Sequence, residues 1–243
     1  MTIRTFTAAS MAVLALAMAP AVLAQQPAAA PKPPSNAIDD PSLKGTEVIK
    51  FIGLKSGDKI VEVVGGKFTP LFAKTVGEKG KVYDYEPDGL IATHAAALTG
   101  AKAMAAASPN IEVIQAPTSA PKLPSGLDYI FIRQNYHDLY DVDVMGQVDV
   151  PAFNKAMLAA LKPGGSLIII DHADAAGTGI KSTDTTHRIE EQRVKDDMTA
   201  AGFKLDGESK ILANPDDDHS KMVFNPAIRG KTDQFLVKFT KPK

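Results

Sequence analysis

The sequence contains neither cysteine nor tryptophan, and aromatic residues make up only 6% of its 243 positions. Without a thiol there is no disulfide, no thiol nucleophile and no cysteinyl metal site. A domain of about 200 residues buries enough core to do without disulfide staples. Excess charge of one sign is also missing: 27 Lys and Arg face 28 Asp and Glu, a formal net charge of −1. No stretch gathers basic residues on one face, which argues against a nucleic-acid partner. A Gly-x-Ser-x-Gly nucleophile turn is absent too, removing one common hydrolase arrangement.

Long apolar runs are equally scarce, and the extended one lies at the N-terminus. Residues 1–10 carry a single positive charge at Arg4, residues 11–22 are small and apolar, and Val22-Leu23-Ala24 precedes Gln25. This is the order of a cleavable secretory signal, with a core shorter than the ~20 residues of a membrane span. Residues 25–41 are rich in proline and alanine and read as a tether. The expected organisation is therefore a signal peptide at 1–24, a linker at 25–41 and one domain at 42–243. The expected location is periplasmic or secreted, without stable membrane insertion once the chain is cut near Ala24. Loss of Arg4 would take the net charge from −1 to −2.

Periodicity organises the remainder. Residues 43–54 place Val48, Ile49, Phe51 and Ile52 mainly on one side of a helix, which Lys55-Ser56-Gly57-Asp58 stops. A β-branched strand at 59–64, a helix at 67–76, a strand at 81–86 and an alanine-rich helix at 88–107 follow. Strands are expected at 111–115 and 127–133, and Pro151 opens a helix reaching Leu161. After the Lys162-Pro163-Gly164-Gly165 turn, the unbroken apolar run at 166–171 suits a strand buried on both faces. A charged helix at 184–201 carries Ile189, Val194, Met198 and Ala201 as its buried stripe, before strands at 203–212 and 234–239. Alternating strands and helices imply right-handed crossovers, whereas the last two strands lack a helix between them and pair antiparallel. The expected class is α/β: a Rossmann-like, doubly wound, mainly parallel seven-stranded sheet with an antiparallel C-terminal hairpin.

The ordered blocks "VEVVGG", "VYDYEP", "LPSGLDYIFI", "LKPGGSLIIIDH" and "AAGF" resemble class I S-adenosylmethionine-dependent methyltransferases over essentially all of residues 42–243. The polar stretches "RQNYHDLY", "DHADAAGTGIKSTDTTHRIEE" and "NPDDDHSKMVFNPAIRGKTDQFLVKF" are similar to an exported bacterial family of predicted methyltransferases. The resemblance implies S-adenosylmethionine as cofactor and a small-molecule acceptor. It places Glu62, Gly65 and Gly66 around the methionine portion, where a Cβ would block close approach, and Glu86 at the ribose hydroxyls. The loop departs from acid-x-Gly-x-Gly-x-Gly spacing. Counted from Glu62, Val64 and Phe68 stand in the first and last glycine registers.

Ligands of open α/β sheets bind beyond the carboxyl ends of the strands. Asn135, Tyr136, His137 and Asp138 follow the fourth strand there, and His137 is the candidate base. Asp171 and His172 end the fifth strand and complete the candidate catalytic set. His187 is expected to begin the next helix, and His219 closes an acidic run, so four of five histidines fall near one rim; His94 reads as incidental. The rim spacing matches no metal motif, so no metal ligand is assigned and a hydrogen-bonded network is favoured over a divalent ion. Asp128 opens the fourth strand at the end away from ligands and reads as structural. Residues 214–231 are long for a connection and read as an ordered lid, with Arg229 pairing an acid beneath it. Two alternatives stay open, because S-adenosylmethionine is made in the cytosol and a signal peptide exports the chain. One is an inactive methyltransferase-like protein binding another small ligand, and the other is a metal-dependent enzyme using the His/Asp rim.

Overall fold

The computed structural model describes residues 36–243. The expected signal peptide and most of the expected linker lie outside the described residues. The end of that linker packs on the domain: Ala37 is buried, and its N–H donates to the Lys67 carbonyl at 2.8 Å.

The strands are β1 (Lys59–Val63), β2 (Lys81–Pro87), β3 (Ile111–Ala116), β4 (Leu127–Arg133), β5 (Leu161–His172), β6 (Lys204–Ser209) and β7 (Gln234–Thr240). They form one sheet in the order β3-β2-β1-β4-β5-β7-β6. The first five pair parallel; β7 runs antiparallel between β5 and β6. The mainly parallel sheet with its C-terminal hairpin is as expected. Chain order reverses between β1 and β4, so the crevice of such a sheet opens at their carboxyl ends.

The helices are α1 (Gly45–Ile52), α2 (Thr69–Val76), α3 (Asp88–Thr93), α4 (Ala95–Ala107), α5 (Val142–Met145), α6 (Val150–Ala160) and α7 (Glu191–Ala201). Side chains alternate across each strand, and two apolar clusters form, one per face. Ile60, Val82, Phe131, Ile168 and Leu236 pack with Val48 and Ile52 of α1 and Phe72 and Val76 of α2. Val61, Ile130, Ile132, Ile169 and Val237 pack with Phe153 and Met157 of α6 and Val194 and Met198 of α7. Residues 166–171 are buried throughout, as the apolar run requires. Asp128 is structural: it accepts from the Lys59 N–H at 2.7 Å and pairs with Lys162.

Two helices differ from their sequence patterns. The alanine-rich stretch breaks at His94 (φ −131°, ψ 54°), where the Thr93 hydroxyl donates back to the Leu90 carbonyl at 3.1 Å. Such back-bonding competes with the helical ladder. The charged helix starts at Glu191 rather than 184. His187 has a φ of 53°, incompatible with a helix, and Arg188 is fully buried. Its guanidinium donates to the Ala173 carbonyl at 3.0 Å and the Lys221 carbonyl at 3.2 Å. It also pairs with the buried Asp217 carboxylate at 2.9 Å. Tertiary hydrogen bonds here override a weak local propensity, and one side chain ties the segment before α7 to the loop after β6.

Arg188→Ala leaves Asp217 buried and unpaired, so urea unfolding should show a loss of ~3–5 kcal/mol. Lys81→Ala, which breaks an exposed pair with Glu112, should change stability by less than ~1 kcal/mol.

Candidate active site

A cleft of about 700 Å³ lies against the carboxyl ends of β1, β4 and β5. Glu62, Gly65 and Gly66 line one wall, Leu90, Ala97, Ala101 and Met104 an apolar second, and His137, Asp138, His172 and His187 a third.

The first wall is the loop after β1. The Val64 N–H donates to the Tyr85 carbonyl at 2.9 Å. The Gly65 N–H donates to Asp84 Oδ1 at 3.1 Å, and the Gly66 N–H to Thr69 Oγ1 at 3.1 Å. Thr69 in turn donates to Glu62 Oε2 at 2.5 Å, and the Phe68 N–H donates to Glu62 Oε1 at 3.3 Å. The loop is thus closed on Glu62. Both glycines are required: a Cβ on Gly65 would lie 2.1 Å from Asp84 Oδ1, and Gly66 has a φ of 143°. Val64, in the first glycine register, has a φ of 56°, a strained conformation for a β-branched residue. Phe68, in the last register, does not line the cleft; it is buried against Phe72 and Phe131, with ring centroids 5.6 and 5.0 Å away.

Three carboxyl groups lie beneath this loop. Glu62 and Asp84 are register partners on β1 and β2, and Glu86 follows on the same face of β2 as Asp84. All three are buried, and neither oxygen of Glu86 nor Asp84 Oδ2 has a hydrogen-bond donor among the described residues. Burial raises Glu62 to about 8, with the Asp84 charge adding to it. Burial likewise raises Asp84 to about 6 and Glu86 to about 9. A proton on Glu86 turns the repulsive Asp84–Glu86 pair into a hydrogen bond, which satisfies two of the three orphaned oxygens and leaves one on Glu86. Arg133, ending β4, is the cation that faces the group. Burial lowers its pKa to about 10, against the opposing charges of Glu62, Asp171 and Asp40. Its guanidinium stands over the Phe68 ring, 5.9 Å from the centroid.

The third wall hangs from Asp171, fully buried at the end of β5. It accepts from the His137 N–H at 2.9 Å, from the His172 N–H at 2.8 Å, and contacts His137 Nδ1 at 2.7 Å. His137 Nε2 lies 3.1 Å from Asp138 Oδ1. Burial alone would lower the His137 pKa, but Asp171 and Asp138 raise it to about 10. Burial would raise Asp138, but its bonds to His137, His187 and Asn135 hold it well below the usual carboxylate range. His172 is driven the other way, well below the usual imidazole range, by burial and by the positive charges of His137, Arg133 and Arg188. Its Nδ1 lies 2.7 Å from Thr232 Oγ1.

The structure brings together Glu62, Gly65, Gly66, His137, His172 and His187 at the cleft, and sets Asp171 directly behind. Glu86 is shut beneath the loop and does not line it. His219 lies elsewhere, with Nε2 3.0 Å from Asp233 Oδ2. His94, read as incidental, lines the cleft. The lid contributes Val223 and Phe224 to the cleft. Arg229 does not pair an acid among the described residues; it stacks over Phe224, 5.8 Å from the ring centroid. Sequence reasoning missed Arg133 and Asp84. The first is betrayed by its place at the carboxyl end of an apolar strand, the second by its two-residue spacing from Glu86.

The buried acids predict a pH dependence of stability. Their folded pKa values exceed those of the unfolded chain, so the native state holds the extra protons. Their contribution is full below about pH 4.5 and is lost as pH rises towards 8 and 9. Glu86→Gln, which keeps the shape and removes the charge, should stabilise the protein at pH 8 by at least ~1 kcal/mol and flatten the decline in melting temperature from pH 5 to pH 8.5. An unchanged pH profile would remove the assignment.

No family model matches this chain, and no curated protein does. Among solved structures, it is similar to a SAM-dependent methyltransferase from Aquifex aeolicus, with a TM-score of 0.59 and 23% identity over 84% of this chain and 95% of that one. The N-methyltransferase NodS from Bradyrhizobium japonicum aligns with a TM-score of 0.57 and 14% identity over 84% and 99% of the two chains. The [4+2]-cyclase SpnF aligns equally well, TM-score 0.57 with 13% identity over 83% and 81%. One backbone therefore carries different reactions; what these likenesses establish is the class I methyltransferase fold.

Proposed function

We propose that the protein is an S-adenosylmethionine-dependent methyltransferase that acts on a small molecule held in the cleft. The observation that carries this reading is the trio of buried carboxyl groups, Glu62, Asp84 and Glu86, beneath the Gly65-Gly66 loop. Buried acids without enough cations around them stay protonated until a positive ligand arrives. The cofactor carries a sulfonium and an ammonium group to face Glu62 at the cleft wall, and its ribose diol has two O–H donors that the orphaned Glu86 oxygens would accept once the Gly65-Gly66 loop above them shifts. The residues present therefore fit it.

When bound, S-adenosylmethionine supplies an electrophilic methyl group. The chain supplies position and proton handling. Gly65 and Gly66 let backbone approach the methionine portion, Arg133 offers a cation to its carboxylate, and the apolar wall of Leu90, Ala97, Ala101 and Met104 suits the adenine. His172 is the candidate proton acceptor, a neutral and weakly basic imidazole: in the tautomer whose Nδ1–H donates to Thr232 Oγ1, Nε2 is the atom that would accept a proton from an oxygen or nitrogen acceptor. Asp171 positions His137 through two hydrogen bonds, and His137, clamped between carboxylates, holds its proton too tightly to serve as a base. The leader-like N-terminus fits action outside the cytoplasm, in the periplasm or beyond.

A second reading, a protein without this cofactor that binds another small ligand in the same cleft, draws on the exclusion of Glu86 from the cleft surface. Calorimetric titration with S-adenosylmethionine and S-adenosylhomocysteine separates the two. Micromolar binding of about −8 kcal/mol, with proton release visible as buffer-dependent heat and with at least ~10-fold loss in Glu86→Ala, is the expected result. Absence of binding by either compound at millimolar concentration would reject the methyltransferase and leave the second reading.

A further inference from the structure

We propose that His137, Asp138 and His187 form a binding site for a divalent transition metal ion, open to the cleft. Each offers one ligand atom, and these atoms lie within 4.8 Å of one another. His137 Nε2 is 3.1 Å and His187 Nδ1 3.7 Å from Asp138 Oδ1. Metal–ligand bonds of about 2.0–2.2 Å separate adjacent ligand atoms by roughly 3–3.5 Å, so the ion needs only a small inward turn of the His187 ring. No other such trio of His, Asp or Glu occurs among the described residues.

The support around the three atoms distinguishes this from a chance cluster. Asp171 Oδ1 sits on His137 Nδ1 at 2.7 Å, which fixes the ring and directs Nε2 at the site. A carboxylate on the far nitrogen of a ligating histidine is the usual outer support of a metal centre. Asn135 Nδ2 donates to Asp138 Oδ2 at 2.9 Å and leaves Oδ1 for the ion. His187 is held in a left-handed backbone conformation by the Arg188 anchor beside it, and its ring packs between His137 and Phe224 at centroid distances of 5.5 and 5.2 Å. Strain at a residue whose side chain points into a cleft is a mark of a functional site.

Two imidazoles and one carboxylate suit zinc, iron, cobalt or manganese better than magnesium or calcium. Three protein ligands leave coordination positions that face the cleft, where an acceptor oxygen or water can enter. Metal binding displaces to solvent the proton that otherwise sits between His137 Nε2 and Asp138; with that proton kept, the same atoms form a hydrogen-bonded network instead. The site does not depend on the cofactor assigned above, since its ligands are distinct from Glu62, Asp84 and Glu86.

The test uses chelator-stripped protein equilibrated with Zn(II), with bound metal counted by mass spectrometry, and Co(II) titration followed by its visible spectrum. Stoichiometric uptake is expected, with Co(II) bands of a nitrogen-ligated, four- or five-coordinate ion. Asp138→Asn and His187→Ala should each weaken binding by at least ~10-fold, and Asp171→Asn by about 10–100-fold, whereas His219→Ala should leave it unchanged. His187 is partly exposed on a loop, so its variant should keep the circular dichroism of the parent. No uptake at micromolar Zn(II), or uptake unchanged in folded His187→Ala, would overturn the proposal.

Discussion

Asp171 is the fastening on which the cleft depends. Its strand, β5, is buried without a break from Gly165 to His172, and its carboxylate stands where β4 and β5 end together. By accepting from the backbone N–H groups of His137 and His172 and holding the His137 ring, it joins the segment after β4 to the end of β5. A buried carboxylate is costly unless its acceptors are filled, so the surrounding donors are fixed in number and direction. The 3₁₀ turn His137–Tyr140 follows from that anchoring. Tyr136 and Tyr140 then reach Asp197 of α7 at 3.2 and 2.5 Å, which joins the same segment to the helix layer.

The cleft is electrically divided. Below the glycine loop the acids outnumber nearby cations, and burial favours protons on Glu62 and Glu86. Across the cleft the balance is reversed: two carboxylates flank His137 and favour a positive charge there, which in turn favours a neutral His172. Low dielectric amplifies both effects. The consequence is a pocket with buried acids of raised pKa behind one wall and, in the other, an imidazole held neutral beside one held positive.

Much of the sheet was legible because period-two apolar runs report burial directly, and the run at 166–171 declared itself central. The buried stripe of Ile189, Val194, Met198 and Ala201 was also readable, although the helix carrying it begins later. What could not be read was the segment before α7, since its shape is set by Arg188 reaching carbonyls and a carboxylate as many as 33 residues away. The site was half legible for the same reason. His137, Asp171 and His172 are placed by strand ends, a local rule; His187 joins them only through a non-local anchor. Asp138 and His187, 49 positions apart, therefore carry no recognisable spacing, even though their side chains meet.

The glycine loop shows how a motif and a geometry can part. Val64 adopts the left-handed turn that glycine would take freely, at an expense of roughly 1–2 kcal/mol, because hydrogen bonds from the N–H groups of Val64, Gly65, Gly66 and Phe68 hold the backbone there. Gly65 has no such latitude, since a Cβ would enter the Asp84 carboxylate, and Gly66 none because of its φ. The position of Phe68 is open to a large residue because its side chain turns into the core with Phe72 and Phe131, away from the cleft. Val64 and Phe68 in two of the glycine registers thus leave the loop folded around Glu62 and the cleft beside it open. Side-chain acceptors at Glu62, Thr69 and Asp84 hold what glycine freedom otherwise permits, and the strain that remains at Val64 is borne where a ligand would sit.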